Sequence, residues 1–193
     1  MISLYEHLRN QIQAGFTVNK TSSDKIILFD LDDTIIHTTA EIMVVKNGQC
    51  IKKLSNAEFN NYVLKPGEGF DFGEFDDPNI LGDSKFTKYW NTLKREYNKG
   101  THIGILTARG NGGMIKKFFL DNGIRIKDEL VIAINDPKTG LKGSIQQKKS
   151  EAIGILAEAG YKLFIFFDDN EPNLRAAKQL ENEYNIKVQT VKV

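Results

Sequence analysis

The chain has 193 residues, 40% of them hydrophobic and 26% charged, with 26 Lys and Arg against 25 Asp and Glu and a net charge of +1. That length suits one domain with a full core and room for an insertion, and the charge balance excludes a protein that coats nucleic acid by bulk electrostatics. One cysteine, Cys50, excludes an internal disulfide framework or a cysteine metal cluster and fits a reducing, cytoplasmic setting.

Residues 3–14 carry Leu4, Tyr5, Leu8 and Ile12 at helical spacing, which predicts an amphipathic helix. Its acids and amides do not read as a signal peptide. With the polar stretch after it, this helix makes an N-terminal segment, 1–24. "IILFD" (26–30) is an apolar run up to its closing Asp30, as a central parallel strand covered on both faces would be. The texture then changes over 37–83, an expected small cap or flap. Two β-prone runs flank Asn47-Gly48, the strongest short hairpin signal. Ser55 with Glu58 three residues later predicts a short capped helix over 55–63. The Gly, Pro and acidic residues of 65–79 predict an irregular loop.

From residue 84 the pattern is regular. "SKFTKYWNTLKREYNKG", "GMIKKFFLDNG", "KSEAIGILAEAGY" and "EPNLRAAKQLENEYN" read as helices. "HIGILTA", "ELVIAI", "KLFIFFDDN" and "IKVQTV" read as strands. The alternation predicts an α/β fold: a three-layer, Rossmann-like parallel sheet with helices on both faces, carrying a small β-hairpin and loop insertion after the first core strand. No run of 18 apolar residues occurs, so no membrane association is expected. Nothing in the pattern calls for an obligate protein partner.

In such sheets ligands bind beyond the carboxyl ends of the strands, and unusual chemistry gathers there. The first strand runs into Asp30, Asp32, Asp33 and Thr34. "GILTARG" ends in Thr107 and Arg109. Lys148 and Lys149 stand at the start of a predicted helix, and the next strand ends in Asp168, Asp169 and Asn170. Taken together these are the parts of a phosphoryl-transfer site. One carboxylate can attack phosphorus, a second can carry protons, and a hydroxyl and a lysine can hold the phosphate oxygens. A further acidic pair completes an oxygen site for Mg²⁺, which would relieve the repulsion among the acids. Each piece alone has a plainer reading, as a solvated turn, a basic surface pair or a helix cap; their shared order is what points to chemistry.

That order resembles the haloacid-dehalogenase-like superfamily of phosphohydrolases, on the motifs "DLDDT", the Thr of "ILTAR", the lysine of "KSEAI" and the acids of "FFDDN", over residues 26–173. The resemblance implies a Mg²⁺-dependent phosphatase domain over 25–193. It implies Asp30 as nucleophile and Asp32 as general acid and base. Asp30, the backbone carbonyl of Asp32, Asp169 and, through water, Asp168 would hold the metal. Thr107 and Lys149, preferred over Lys148, would hold the phosphate. The small insertion and Arg109 are similar to the phosphatase half of bifunctional polynucleotide kinases, which implies Arg109 as a phosphate fork and a nucleotide or a nucleic-acid 3′-phosphate end as substrate. Alternatives are a sugar-phosphate or phosphoprotein phosphatase, or a non-catalytic phosphate-binding module on the same fold. A response-regulator receiver would carry its acidic pair first in the chain, and a true dehalogenase would need neither Asp32 nor the second acidic pair.

Overall fold

The computed structural model describes residue 10 and residues 24–59 and 61–193, so the helix predicted over 3–14 lies outside the described residues. The chain divides into two compact units. The larger is built from the described residues up to His37 together with Phe86–Val193; the smaller is Thr38–Lys85.

The larger unit is an α/β fold with a five-stranded parallel sheet. Its strands are β1 (Lys25–Phe29), β7 (His102–Thr107), β8 (Val131–Ala133), β9 (Leu163–Asp168) and β10 (Lys187–Lys192), in the spatial order β10-β9-β1-β7-β8. Every pairing is parallel. β1 is central, which explains its unbroken apolar run: Ile26 to Phe29 are all buried. Phe29 stacks on Phe167 across the β1–β9 pair, ring centroids 4.6 Å apart. Gly104 faces Leu28, and a Cβ there would stand 2.7 Å from a Leu28 methyl, so any larger residue would have to displace that side chain.

The helices of this unit are α3 (Tyr89–Asn98), α4 (Gly112–Asp121), α5 (Ile145–Glu158) and α6 (Glu171–Tyr184). Strands β1, β7 and β8 step one way across the sheet, and β9 and β10 step the other. The right-handed crossover rule therefore sets α3 and α4 on one face and α5 and α6 on the other. The direction of winding reverses between β1 and β9. In folds of this kind that reversal opens a crevice at the carboxyl edge.

Boundaries differ from the sequence reading in two instructive places. Residues 84–88 precede α3 and hold a two-residue strand, β6 (Lys85–Phe86), paired with β2 (Ile36–His37). Helix α5 begins at Ile145, earlier than predicted, because Ser144 and Gln147 form a reciprocal capping box. Lys148 and Lys149 thus sit inside the helix rather than at its start. Trp90 and Leu93 of α3 are buried, so the apolar face of this basic helix is core, and the partly exposed Phe86 ahead of it stacks on Trp90 at 4.1 Å.

The smaller unit contains an antiparallel sheet in the order β4-β3-β5: β3 (Ile42–Lys46), β4 (Gln49–Leu54) and β5 (Glu68–Asp71). Asn47 and Gly48 turn the β3–β4 hairpin with φ of 51° and 76°, as the dipeptide predicts. Helix α1 (Asn56–Phe59) is shorter than expected but keeps its Ser55–Glu58 cap. The stretch read as irregular loop contains β5, a 3₁₀ turn (Gly73–Asp76) and the start of α2 (Pro78–Asp83), which Asp77 caps. Ile42, Val44 and Leu54 form its core, lined by Phe59, Tyr62, Phe70 and Phe75. No helix among the described residues is long and apolar enough to cross a membrane.

Candidate active site

The sequence-predicted acids and bases come together at the carboxyl edge of the larger unit, around the β1–β9 reversal. Asp30 follows β1 directly, and its backbone N–H donates to Phe167 O at 2.9 Å, which extends the β1–β9 ladder one residue into the site. Asp168 is the last residue of β9. Lys149, in the second turn of α5, donates to both acids: 2.8 Å to Asp30 Oδ1 and 2.7 Å to Asp168 Oδ2. All three are buried, at 6%, 0% and 3% exposure for Asp30, Asp168 and Lys149. Residues 119 and 19 positions away from Lys149 thus meet on one ammonium.

Each acid has secondary support. Thr34 donates to Asp30 Oδ2 at 3.4 Å. Asp168 accepts from the Asn170 backbone N–H at 2.8 Å and from Asn173 Nδ2 at 3.0 and 3.1 Å. Asn170 also caps α6 by accepting from the Asn173 N–H. The Asn173 Oδ1 is buried with no hydrogen-bond partner among the described residues. Asp32 lies further out and is held bidentately by Arg109, Nε to Oδ2 at 3.0 Å and Nη2 to Oδ1 at 2.8 Å. Thr107 is buried at the end of β7, and its hydroxyl oxygen accepts from the Arg109 N–H at 3.3 Å.

Asp33 stands at the margin of this cluster, near enough for its charge to help raise Asp169. It occupies a left-handed turn, φ 56°, with its N–H donating to Ile36 O. Lys148, the other candidate lysine, donates to Asn135 Oδ1 at 2.7 Å instead. Thr34 closes the "DLDDT" motif, though its bond to Asp30 is not foreseen from it, and Asn135 carries no motif beyond being polar. Asn135 becomes visible only because β8 ends beside the loop after β7.

The electrostatics follow from burial. Desolvation is the main cause that lifts the Asp30 carboxyl well above the ordinary aspartate range; Lys149 opposes it, and the charges of Asp168 and Asp32 add to it. Asp169 is also raised, by burial first and then by Asp168. Burial works against a charged Lys149, but the neighbouring acids outweigh it and hold the ammonium above its usual value. Fully ionised, the acids Asp30, Asp32, Asp168 and Asp169 would outnumber Lys149 and Arg109, and the raised Asp30 and Asp169 carboxyls reflect that crowding as well as burial.

That surplus is what a divalent cation would relieve. Among the described residues no three His, Cys, Asp or Glu side chains converge as a metal-binding group. A cation here would have to take one or two carboxylates with backbone and water oxygens. Mg²⁺ accepts that set, and zinc in a structural site does not. Compared with family models, curated proteins and solved structures, the chain matches none.

Proposed function

We propose that this chain is a Mg²⁺-dependent phosphatase of the haloacid-dehalogenase-like type, acting on a phosphomonoester through an aspartyl-phosphate intermediate. One observation carries the reading: Lys149 joins Asp30 and Asp168, from three separate elements, in a buried cluster at the sheet's switch point. A merely structural ion triad is costly to bury, and apolar residues would serve stability as well.

In the first half-reaction an Asp30 carboxylate oxygen bonds to phosphorus as the bond to the leaving oxygen breaks, and Asp32 gives that oxygen a proton. In the second, Asp32 takes a proton from a water that attacks phosphorus, which releases phosphate and restores Asp30. Thr107 and Lys149 hold the non-bridging oxygens, where charge accumulates. Asp30, Asp169, the Asp32 carbonyl and, through water, Asp168 would hold Mg²⁺, which would supply positive charge against the phosphoryl oxygens. The small insertion suits a nucleotide or a nucleic-acid 3′-phosphate end; sugar phosphates and phosphoproteins are the competing substrates.

The test is Mg²⁺-dependent hydrolysis of p-nitrophenyl phosphate. Asp30→Asn is expected to abolish it, and unchanged turnover in that variant would sink the reading. Asp32→Asn is expected to lower turnover by about 10²–10⁴-fold with metal binding retained. A panel of 3′-phosphorylated oligonucleotides, mononucleotides and sugar phosphates then identifies the substrate class.

A further inference from the structure

We infer that Arg109 is a positioning residue for Asp32 and not a ligand for the substrate phosphate. This rests on the phosphatase reading above and assigns one of its residues a different task. A phosphate fork must offer its N–H groups to a ligand. Here the Nε–H and one Nη2–H of Arg109, the pair of donors that makes up one edge of its fork, are committed to Asp32, one to each carboxylate oxygen, at 3.0 and 2.8 Å. Arg109 itself is 2% exposed, whereas the Asp32 side chain keeps 15% exposure. The guanidinium therefore lies behind the carboxylate, and Asp32 is the partner that reaches solvent. Two parallel bonds from a planar fork fix the plane of the carboxylate as well as its distance, which a single point charge does not.

The arginine is itself braced. Its N–H donates to Thr107 Oγ1 at 3.3 Å, so that hydroxyl's own hydrogen is left to point elsewhere. The Asn135 N–H donates to Arg109 O at 3.4 Å, and Asn135 Nδ2 donates to Ala108 O at 2.6 Å. Asn135 is held in turn by Lys148. A continuous path thus runs from α5 through Asn135 and the loop after β7 to the orientation of Asp32. Positioning matters most where a proton must reach a basic leaving oxygen, because a misaimed acid costs little when the leaving group departs unaided.

Leaving-group dependence distinguishes the two roles. Phenyl phosphate, which needs its leaving oxygen protonated, is compared with p-nitrophenyl phosphate, which needs it far less, with Mg²⁺ present. In Arg109→Lys, kcat/KM, which reports only the first half-reaction, is expected to fall by about tenfold or more for phenyl phosphate and by less than about threefold for p-nitrophenyl phosphate. Protection of the fold by orthophosphate is expected to stay as in the parent chain. In an Asp32→Asn background the same change is expected to cost nothing further. Asn135→Ala, at an exposed position, gives a second variant that keeps the arginine and is expected to show the same selectivity more weakly. A parallel rise in KM for both esters with loss of orthophosphate protection, or a further loss in the Asp32→Asn background, would overturn the positioning role and leave the phosphatase intact. Absence of hydrolysis of either ester by the parent chain would overturn the phosphatase reading itself, and this inference with it.

Discussion

At the scale of single residues, three neighbouring aspartates have three different environments. Asp30 is buried against Lys149, Asp32 is forked by Arg109, and Asp33 turns the backbone at φ 56°. Asp tolerates the left-handed region better than a branched residue does. Asp33→Gly is therefore expected to leave stability and turnover within experimental scatter, whereas Asp33→Val is expected to cost about 1–3 kcal/mol in urea unfolding. Lys149→Met is the severe change. It leaves Asp30 and Asp168 buried without their shared cation, at an expected cost of about 3–5 kcal/mol at neutral pH. The sign with pH follows. Asp30 already lies above the ordinary aspartate range, and removing Lys149 takes away the largest influence that lowers it. Between the unfolded and folded values the folded state binds the extra proton, so stability of the variant rises as pH falls through the folded value. Denaturant midpoints measured from neutral to mildly acidic pH check this; a midpoint that falls more steeply with acid than that of the parent chain contradicts it. The three environments were partly legible in the sequence, because an apolar strand ending in Asp-x-Asp sets its first and third residues at the sheet edge. The Arg109–Asp32 pair was not, because 77 positions separate its partners.

At the scale of elements, local signals worked where they are self-contained. The Asn47-Gly48 hairpin and the Ser55–Glu58 cap depend only on residues a few positions apart, and both are formed. The early start of α5 hides in Ser144 and Gln147, a capping box whose glutamine is less conspicuous than a glutamate. Strand β5 was missed because its segment is rich in Gly and acid, and its pairing with β3 comes from tertiary contact, not propensity. Gly104 gives a sharp test of strand packing. Gly104→Ala sets a methyl against Leu28 within the central sheet and is expected to cost about 1–3 kcal/mol, measured by thermal or urea unfolding. In the smaller unit, Glu74 accepts from Lys53 and from the Glu41 N–H, which lower its pKa below the usual glutamate value. Its stabilising effect is present above the unfolded value and is lost as pH falls through the folded one. The stability gap between the parent chain and Glu74→Gln should therefore shrink on acidification.

At the scale of the whole molecule, β2 and β6 pair at the junction where the smaller unit leaves and rejoins the chain. A short Gly-Ser linker in place of Thr38–Lys85 is expected to leave the five-stranded sheet folded, with a single cooperative transition and helical far-ultraviolet dichroism; loss of the transition would show the units to be interdependent. By itself the sequence determined the alternation of strand and helix, the parallel sheet this entails, and the short list of polar residues at strand ends, because periodicity and chain order are local properties. Strand order, and with it the reversal between β1 and β9, was decided only by the tertiary structure. The resemblance of "KSEAI" already preferred Lys149 over Lys148, and the structure sets Lys149 beside the acids: one position along a helix turns a side chain by about 100°, so only one of the two can face the sheet edge. "KIILFDLDDTIIHTT" supplies the acids, but which cation each one meets depends on elements folded from residues far along the chain.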